Sequence, residues 1–144
     1  MSRSADHHVI VLDNEAAQAL QSTRHPKHAR VVAHVQRTVD RRPQVAESVI
    51  VVPTSVRVEA GWDRTDASWA FANGLKILDA DLNVELANSA SAIRRRVGLQ
   101  VSVVDAHVGA VIQSAVADRV TVITSDPTDI AAVAEGTSVV IVSI

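Results

Sequence analysis

The chain has 144 residues, a net charge of −2 and no cysteine, so thiol catalysis and thiolate metal sites are excluded. Its length suits one domain, residues 1–144, and its 47% hydrophobic content argues against extended disorder. The polar start Met1–His8 lacks the apolar core of a signal peptide, and no apolar run reaches the about 18 residues that span a bilayer. A cytoplasmic protein with no membrane partner is therefore expected.

Short β-branched runs alternate along the chain with Ala-rich stretches of helical spacing. In chain order the predicted elements are strand His8–Leu12, helix Asn14–Gln21, helix Pro26–Val39, strand Ser48–Val52, helix Pro53–Trp62, helix Ala67–Asn73, a weaker strand Leu75–Leu78, helix Leu82–Arg96, helix Val103–Ala117, strand Val120–Thr124, helix Pro127–Ala134 and strand Ser138–Val142. This alternation predicts an α/β fold whose central sheet is mainly parallel and has about five strands.

In open parallel sheets, functional residues lie beyond the carboxyl ends of the strands. Asp13 and Asp126 follow two predicted strands closely, Glu59 lies on the helix after a third, and Asp105 opens a helix. Four different elements therefore each bring one acidic residue toward the same edge of the sheet.

Each of these acids also has a purely structural interpretation. Asp13 and Asp126 are suited to cap the helices that follow them, and Ser102 with Asp105 has the spacing of a capping box. Glu59 shares a predicted apolar helix face with Val52 and Val56, so it is expected to be buried.

A buried carboxylate needs a partner. For Glu59 the structural alternative is a buried salt bridge to Arg57 or Arg64. Neither interpretation is decided by the sequence.

Several carboxylates at close range repel one another unless protons or a cation neutralise them. Oxygen ligands without thiolates favour a hard cation, Mg²⁺ or Mn²⁺. Such a site suits phosphodiester hydrolysis, because a metal generates hydroxide and neutralises charge on the phosphate.

Basic residues gather in two segments, as phosphate contacts require. The first segment holds Arg24, Lys27, Arg30, Arg37, Arg41 and Arg42. The second, Arg94, Arg95 and Arg96, ends a predicted helix near the acidic residues, and these three are the predicted RNA contacts; a solvated helix face is the alternative.

Four segments resemble PIN-domain proteins, and the chain as a whole resembles a VapC-type toxin of the actinobacterial kind. They are VIVLD at 9–13, VVPTSVRVE at 51–59, VVDAHV at 103–108 and VITSDPTDI at 122–130. Their order and spacing cover nearly the whole chain, although each segment alone is a weak signal.

The resemblance implies a PIN-like three-layer α/β/α fold and a Mg²⁺- or Mn²⁺-dependent endoribonuclease acting on tRNA or rRNA. Asp13, Glu59, Asp105 and Asp126 match the acidic quartet of the family, and Asp129 matches a further acid near the metal. A homodimer and a small cognate antitoxin are also implied. Two departures stand out: Glu15 replaces a small or hydroxyl residue, and Ser102 stands where relatives often carry aspartate.

Two other phosphate-handling folds are disfavoured. A haloacid-dehalogenase-type phosphatase needs a second aspartate where Glu15 stands, and a receiver domain would use Asp79 as phosphoacceptor. Both need a lysine after a late strand, and no lysine follows Lys76. The remaining alternative is a PIN-like protein with a weak or lost metal site that binds RNA or a partner.

Overall fold

The computed structural model describes residues 6–39 and 46–144 of the chain. Its sheet has five strands, and every neighbouring pair is parallel. The strands are β1 Asp6–Leu12, β2 Ala46–Pro53, β3 Ile77–Ala80, β4 Arg119–Thr124 and β5 Val140–Ser143. The predicted α/β class and parallel five-stranded sheet are confirmed.

Helices flank the sheet, in an arrangement consistent with a three-layer α/β/α fold. They are α1 Asn14–Ala19, α2 His28–Val39, α3 Thr54–Ala60, α4 Ala70–Gly74, α5 Val84–Val97, α6 Val103–Ser114 and α7 Pro127–Val133, with one 3₁₀ turn at Ala67–Trp69. Within the described part of the chain, every helix is too short or too polar to cross a bilayer.

The strand order is β3-β2-β1-β4-β5, so β1 lies in the middle of the sheet. Residues of β1 are almost completely buried from Ile10 to Leu12, as expected for a strand that is covered on both faces. Along the chain, β2 and β3 are added on one side of β1, and β4 and β5 are then added on the other side. The chain therefore changes direction across the sheet beside β1, where open α/β sheets form their functional crevice.

Several predicted boundaries differ from the observed ones by two or three residues, and two of these differences have a clear hydrogen-bonding reason. Pro26 does not open α2; it lies in a turn closed by the bond from the His28 N–H to the His25 carbonyl, and the helix begins at His28. β3 begins at Ile77 rather than Leu75, because the Leu75 N–H bonds to the Ala72 carbonyl and so belongs to the end of α4.

Close packing brings α6 against its neighbours at Gly109. A Cβ atom added there would stand 2.9 Å from both the Cβ and the carbonyl oxygen of Val133, and 3.0 Å from Cδ1 of Ile93. Glycine is thus the residue that allows α6 to approach α7 and α5 this closely. The approach matters because α6 and α7 carry Asp105 and Asp129 in their first turns.

Candidate functional site

Asp13 lies at the end of the central strand and is the most buried acid of the site, with 4% of its surface exposed. Its Oδ1 accepts the Asn14 N–H at 2.8 Å, and its Oδ2 accepts the Thr124 hydroxyl at 2.7 Å. Burial raises the pKa of Asp13, against the lowering effect of these two bonds. Asp13 does occupy the N-cap position of α1, but its cap bond reaches only the first helical residue.

Asp126 occupies the N-cap position of α7 without a capping bond from its side chain. Its backbone N–H instead donates to the Thr124 hydroxyl oxygen at 2.9 Å. The capping interpretation of this carboxylate is therefore wrong. The Asp126 side chain is exposed, and only its backbone N–H is held, by the Thr124 hydroxyl. Thr124 was not singled out from the sequence, although it contacts both Asp13 and Asp126.

Glu59 lies in the last turn of α3 and is exposed, so its predicted burial was wrong. The structural alternative also fails among the described residues, because Arg57 and Arg64 both bind Asp79, each at 3.0 Å. What burial Glu59 retains raises its pKa, and the charges of Asp13 and Asp126 raise it further. Glu59 therefore lies near Asp13 and Asp126, but at the protein surface rather than in the core.

Asp79 itself is held as a structural residue. Its carboxylate receives several hydrogen bonds from the Arg64 guanidinium, which also stacks over the Trp62 ring at 4.7 Å. A carboxylate so fully paired is a poor phosphoacceptor, which adds to the case against a receiver domain.

Asp105 lies in the first turn of α6, where its backbone N–H donates to the Ser102 hydroxyl at 3.0 Å. Ser102 is thus the N-cap, and that half of the predicted capping box is present. Burial raises the pKa of the Asp105 carboxyl to about 6, and the charges of Asp13, Asp129 and Glu59 raise it as well. A helix cap would show the opposite trend, because bonds from N–H groups lower a carboxyl pKa.

These mutual effects define one set of acids, here called the acidic edge: Asp13, Glu59, Asp105, Asp126 and Asp129. Among the residues that the structure describes, the carboxylates of Glu59, Asp126 and Asp129 make no hydrogen bond or salt bridge. The acids come from separate elements, namely the ends of β1 and β4 and the helices α3, α6 and α7, and their charges act on one another.

The donor chemistry of the acidic edge fits a hard divalent cation, since all of its ligand atoms are carboxylate oxygens. However, residues 6–39 and 46–144 contain no group of three or more Asp, Glu or His side chains already placed to hold a metal ion. Binding would require the exposed carboxylates to rotate toward Asp13 and Asp105. Burial is the largest cause of the raised pKa of Asp13, Glu59 and Asp105, and the charges of neighbouring carboxylates raise each of these pKa values further.

Two concavities adjoin the acidic edge. A cavity of about 140 Å³ is lined by Asp105 and Asp129 together with side chains from the end of α5, the following loop and α7. A shallow groove of about 530 Å³, here called the α3 groove, is lined by Thr54, Ser55, Val58, Glu59, Leu82 and Val104. The first has two carboxylates in its lining, whereas the lining of the α3 groove is mostly apolar.

The three predicted RNA contacts at the end of α5 have different surroundings. Arg94 donates to the carbonyls of Leu99 and Val101, both at 2.9 Å, and so holds the loop before α6. Within residues 6–39 and 46–144, the Arg95 guanidinium hydrogen-bonds to the Ser91 hydroxyl of its own helix, and Arg96 pairs with the exposed Glu135 at 3.2 Å. Arg95 and Arg96 are consequently the two that phosphate could engage without loss of a loop contact.

Glu15 is turned to the loop before α2. It pairs with His25 at 3.0 Å and lies 3.9 Å from the Lys27 ammonium. The Glu15 carboxylate is therefore engaged by this loop rather than by the acidic edge. In the first basic segment, Arg41 and Arg42 lie outside the described residues.

No role was assigned to His107 from the sequence. The structure shows a completely buried imidazole whose Nδ1 lies 2.7 Å from the Ser55 hydroxyl. The sequence gives no sign of this contact, because Ser55 and His107 are 52 residues apart in the chain.

No protein-family model matches the chain, and a search of curated proteins finds no significant relative.

Proposed function

We propose that this protein is a metal-dependent endoribonuclease. The proposal is carried by one observation: five carboxylates from α3, α6, α7 and the end of β1 interact electrostatically at the carboxyl edge of a parallel sheet. Burial and the charges of neighbouring acids raise the pKa of Asp105 to about 6, so a bound cation would offset charge that this edge leaves uncompensated. All five acids lie in the segments that resemble PIN-domain proteins, which supports the nuclease class.

The residues that would hold Mg²⁺ or Mn²⁺ are Asp13 and Asp105, with Glu59, Asp126 and Asp129 as further oxygen donors. When bound, such an ion lowers the pKa of a water ligand and offsets the charge of the phosphate. Asp13 is held in place by Thr124 and by its own helix, so it needs no reorganisation. Asp105 must release its proton to become a ligand, which happens above about pH 6.

RNA as the substrate, and tRNA or rRNA in particular, follows from the resemblance to VapC-type toxins. Arg95 and Arg96 at the end of α5 supply two accessible cations for the RNA backbone. A cognate antitoxin, a homodimer and a cytoplasmic location are part of the same proposal. The apolar α3 groove beside Glu59 offers a surface on which such a protein partner could cover the site.

Cleavage of a total tRNA and rRNA pool tests the proposal. The assay compares Mg²⁺, Mn²⁺ and EDTA, and it compares the wild type with Asp105→Asn. Asp118→Asn is the matched control, because Asp118 precedes β4 at the opposite edge of the sheet and accepts the His7 N–H. Discrete products that require metal and Asp105, but not Asp118, are expected.

One observation favours a second function, binding of RNA or a protein partner without cleavage. The described residues contain no ready set of three metal ligands, as a weak or lost metal site would. Calorimetric titration with Mn²⁺ separates the two. Equal degradation of RNA by wild type and Asp105→Asn, together with no Mn²⁺ binding, would leave the binding function as the better account.

A further inference from the structure

A buried hydrogen-bonded contact lies beneath the α3 groove, between the first turns of α3 and α6. The His107 imidazole has no exposed surface, and its Nδ1 lies 2.7 Å from the Ser55 hydroxyl oxygen. Next to it, the Thr54 hydroxyl accepts the N–H of Leu82 at 3.2 Å. Two hydroxyls at the start of α3 thus connect that helix to α6 and to the segment after β3.

The Ser55 hydroxyl can donate or accept, and a neutral imidazole has one donor and one acceptor nitrogen. The contact at Nδ1 therefore forms whichever of the two partners carries the bridging proton. In both cases it is a hydrogen bond between α3 and α6, made by a ring with no exposed surface.

Among the described residues, the Ser55–His107 contact is the hydrogen bond that joins α3 directly to α6. Pro53 is the N-cap residue of α3 and offers no side-chain bond to its first turn. Ser55 precedes Glu59 by four residues, about 6 Å along the helix, and His107 follows Asp105 by two, about 3 Å. A shift of α3 against α6 would therefore move Glu59 relative to Asp105, whose charges already interact.

We propose that Ser55 and His107 form a positioning pair that sets the placement of Glu59 against Asp105 and thereby prepares the acidic edge for a divalent cation. This inference rests on the proposed metal site. Neither residue contacts the metal or the substrate in this account; both act through the helices that carry the acids.

The first experiment measures Mn²⁺ affinity of the full chain by calorimetry at a temperature where all variants are folded. Ser55→Ala is expected to weaken Mn²⁺ binding about tenfold, the lower range for loss of a residue that orients ligands. Ser55→Thr keeps the hydroxyl and should bind as the wild type does. Ser114→Ala is the matched control, because its hydroxyl bonds to the Val111 carbonyl at the far end of α6.

The second experiment measures the distance between α3 and α6 without metal. The chain has no cysteine, so spin labels attach only at introduced Val58→Cys and Gln113→Cys, both exposed positions. Ser55→Ala is expected to shift or broaden the distance distribution, whereas Ser114→Ala should leave it unchanged. His107→Asn places an amide where Nδ1 stands; it tests the same contact from α6 and should resemble the wild type in this measurement.

The outcomes are distinguishable. Wild-type Mn²⁺ affinity in Ser55→Ala would overturn the positioning role while leaving the metal site intact. Weakened affinity with an unchanged distance distribution would also overturn it, since the helices would not have moved. Absence of Mn²⁺ binding by the wild type would overturn the metal site itself, and the positioning role with it.

Discussion

The Thr124 hydroxyl donates to Oδ2 of Asp13 at 2.7 Å and at the same time accepts the N–H of Asp126 at 2.9 Å. A single buried oxygen on β4 therefore orients the most buried acid of the edge and the turn that leads into α7. Since the donated proton stabilises the ionised form of Asp13, Thr124 keeps that carboxylate available to a cation despite its burial.

Thr124→Val replaces the hydroxyl by a methyl group of similar size. It leaves Asp13 with one bond fewer and the Asp126 N–H without its acceptor. We expect the free energy of unfolding to fall by about 1–3 kcal/mol at pH 7, because buried polar groups lose their partners. Urea unfolding measures this, and calorimetry should show weaker Mn²⁺ binding. Thr124→Ser keeps both bonds, so its Mn²⁺ affinity should stay near that of the wild type; equal losses in both variants would contradict the role of the hydroxyl.

Asp105 should make the metal-free protein less stable as pH rises. Its pKa is about 6 in the folded protein and near 3.8 in the unfolded chain, so between these values only the folded state holds the proton. Stability contributed by this proton falls from about pH 4 to pH 6, and the loss persists above pH 6. Asp105→Asn cannot ionise and escapes this loss.

Thermal unfolding in EDTA checks the effect. At pH 7.5 we expect Asp105→Asn to melt a few degrees above the wild type, and at pH 4 the difference should shrink. Asp118→Asn should show no such pH-dependent gain. Parallel melting curves for wild type and Asp105→Asn across this range would show that the Asp105 carboxylate is not destabilised by its neighbours.

Arg95 and Arg96 should contribute phosphate contacts, whereas Arg94 should contribute to the loop before α6. The double variant Arg95→Ala/Arg96→Ala is expected to reduce the slope of log affinity against log salt by about 1.4, at about 0.7 per lost contact with single-stranded RNA. Binding of a single-stranded RNA by Asp105→Asn at several salt concentrations measures this without cleavage. An unchanged slope of log affinity against log salt would show that neither Arg95 nor Arg96 contacts phosphate.

Gly109→Ala should destabilise the protein through a steric clash rather than through any loss of hydrogen bonds. The added Cβ would meet the backbone and side chain of Val133 and the side chain of Ile93. We expect a cost of about 1–3 kcal/mol, measured by urea unfolding. Gly74→Ala is the control, since a Cβ there meets nothing within 4 Å and φ is not positive. A neutral Gly109→Ala would mean that α6 and α7 separate easily.

The sequence predicted the helices and strands, because they depend on periodicity along the chain. Every predicted strand and helix has a counterpart, with shifts of a few residues such as that of β3. The expected positions of Asp13 and Asp126 came from the rule that parallel strands end at one edge, whereas Asp105 follows a helix. Periodicity placed Glu59 on the apolar face of α3. It did not show that α3 ends at Ala60, so that Glu59 lies in the last turn and is exposed.

Contacts between distant elements could not be predicted in this way. Thr124 and Ser55 look like ordinary strand-end and helix-start residues, and their partners are 111 and 52 residues away. The pairing of Arg57 and Arg64 with Asp79 likewise depends on how α3 and the following loop lie beside β3. Only the register of the folded chain shows which polar group meets which.

The residues of the acidic edge span the chain from Asp13 to Asp129. The strand β4, which pairs with the central strand β1, is made only late in synthesis. A ribosome must therefore polymerise nearly nine-tenths of the 144 residues before the last of these carboxylates exists. Until then, the emerging polypeptide carries an incomplete set of these acids, and the site is assembled only once α7 follows β4.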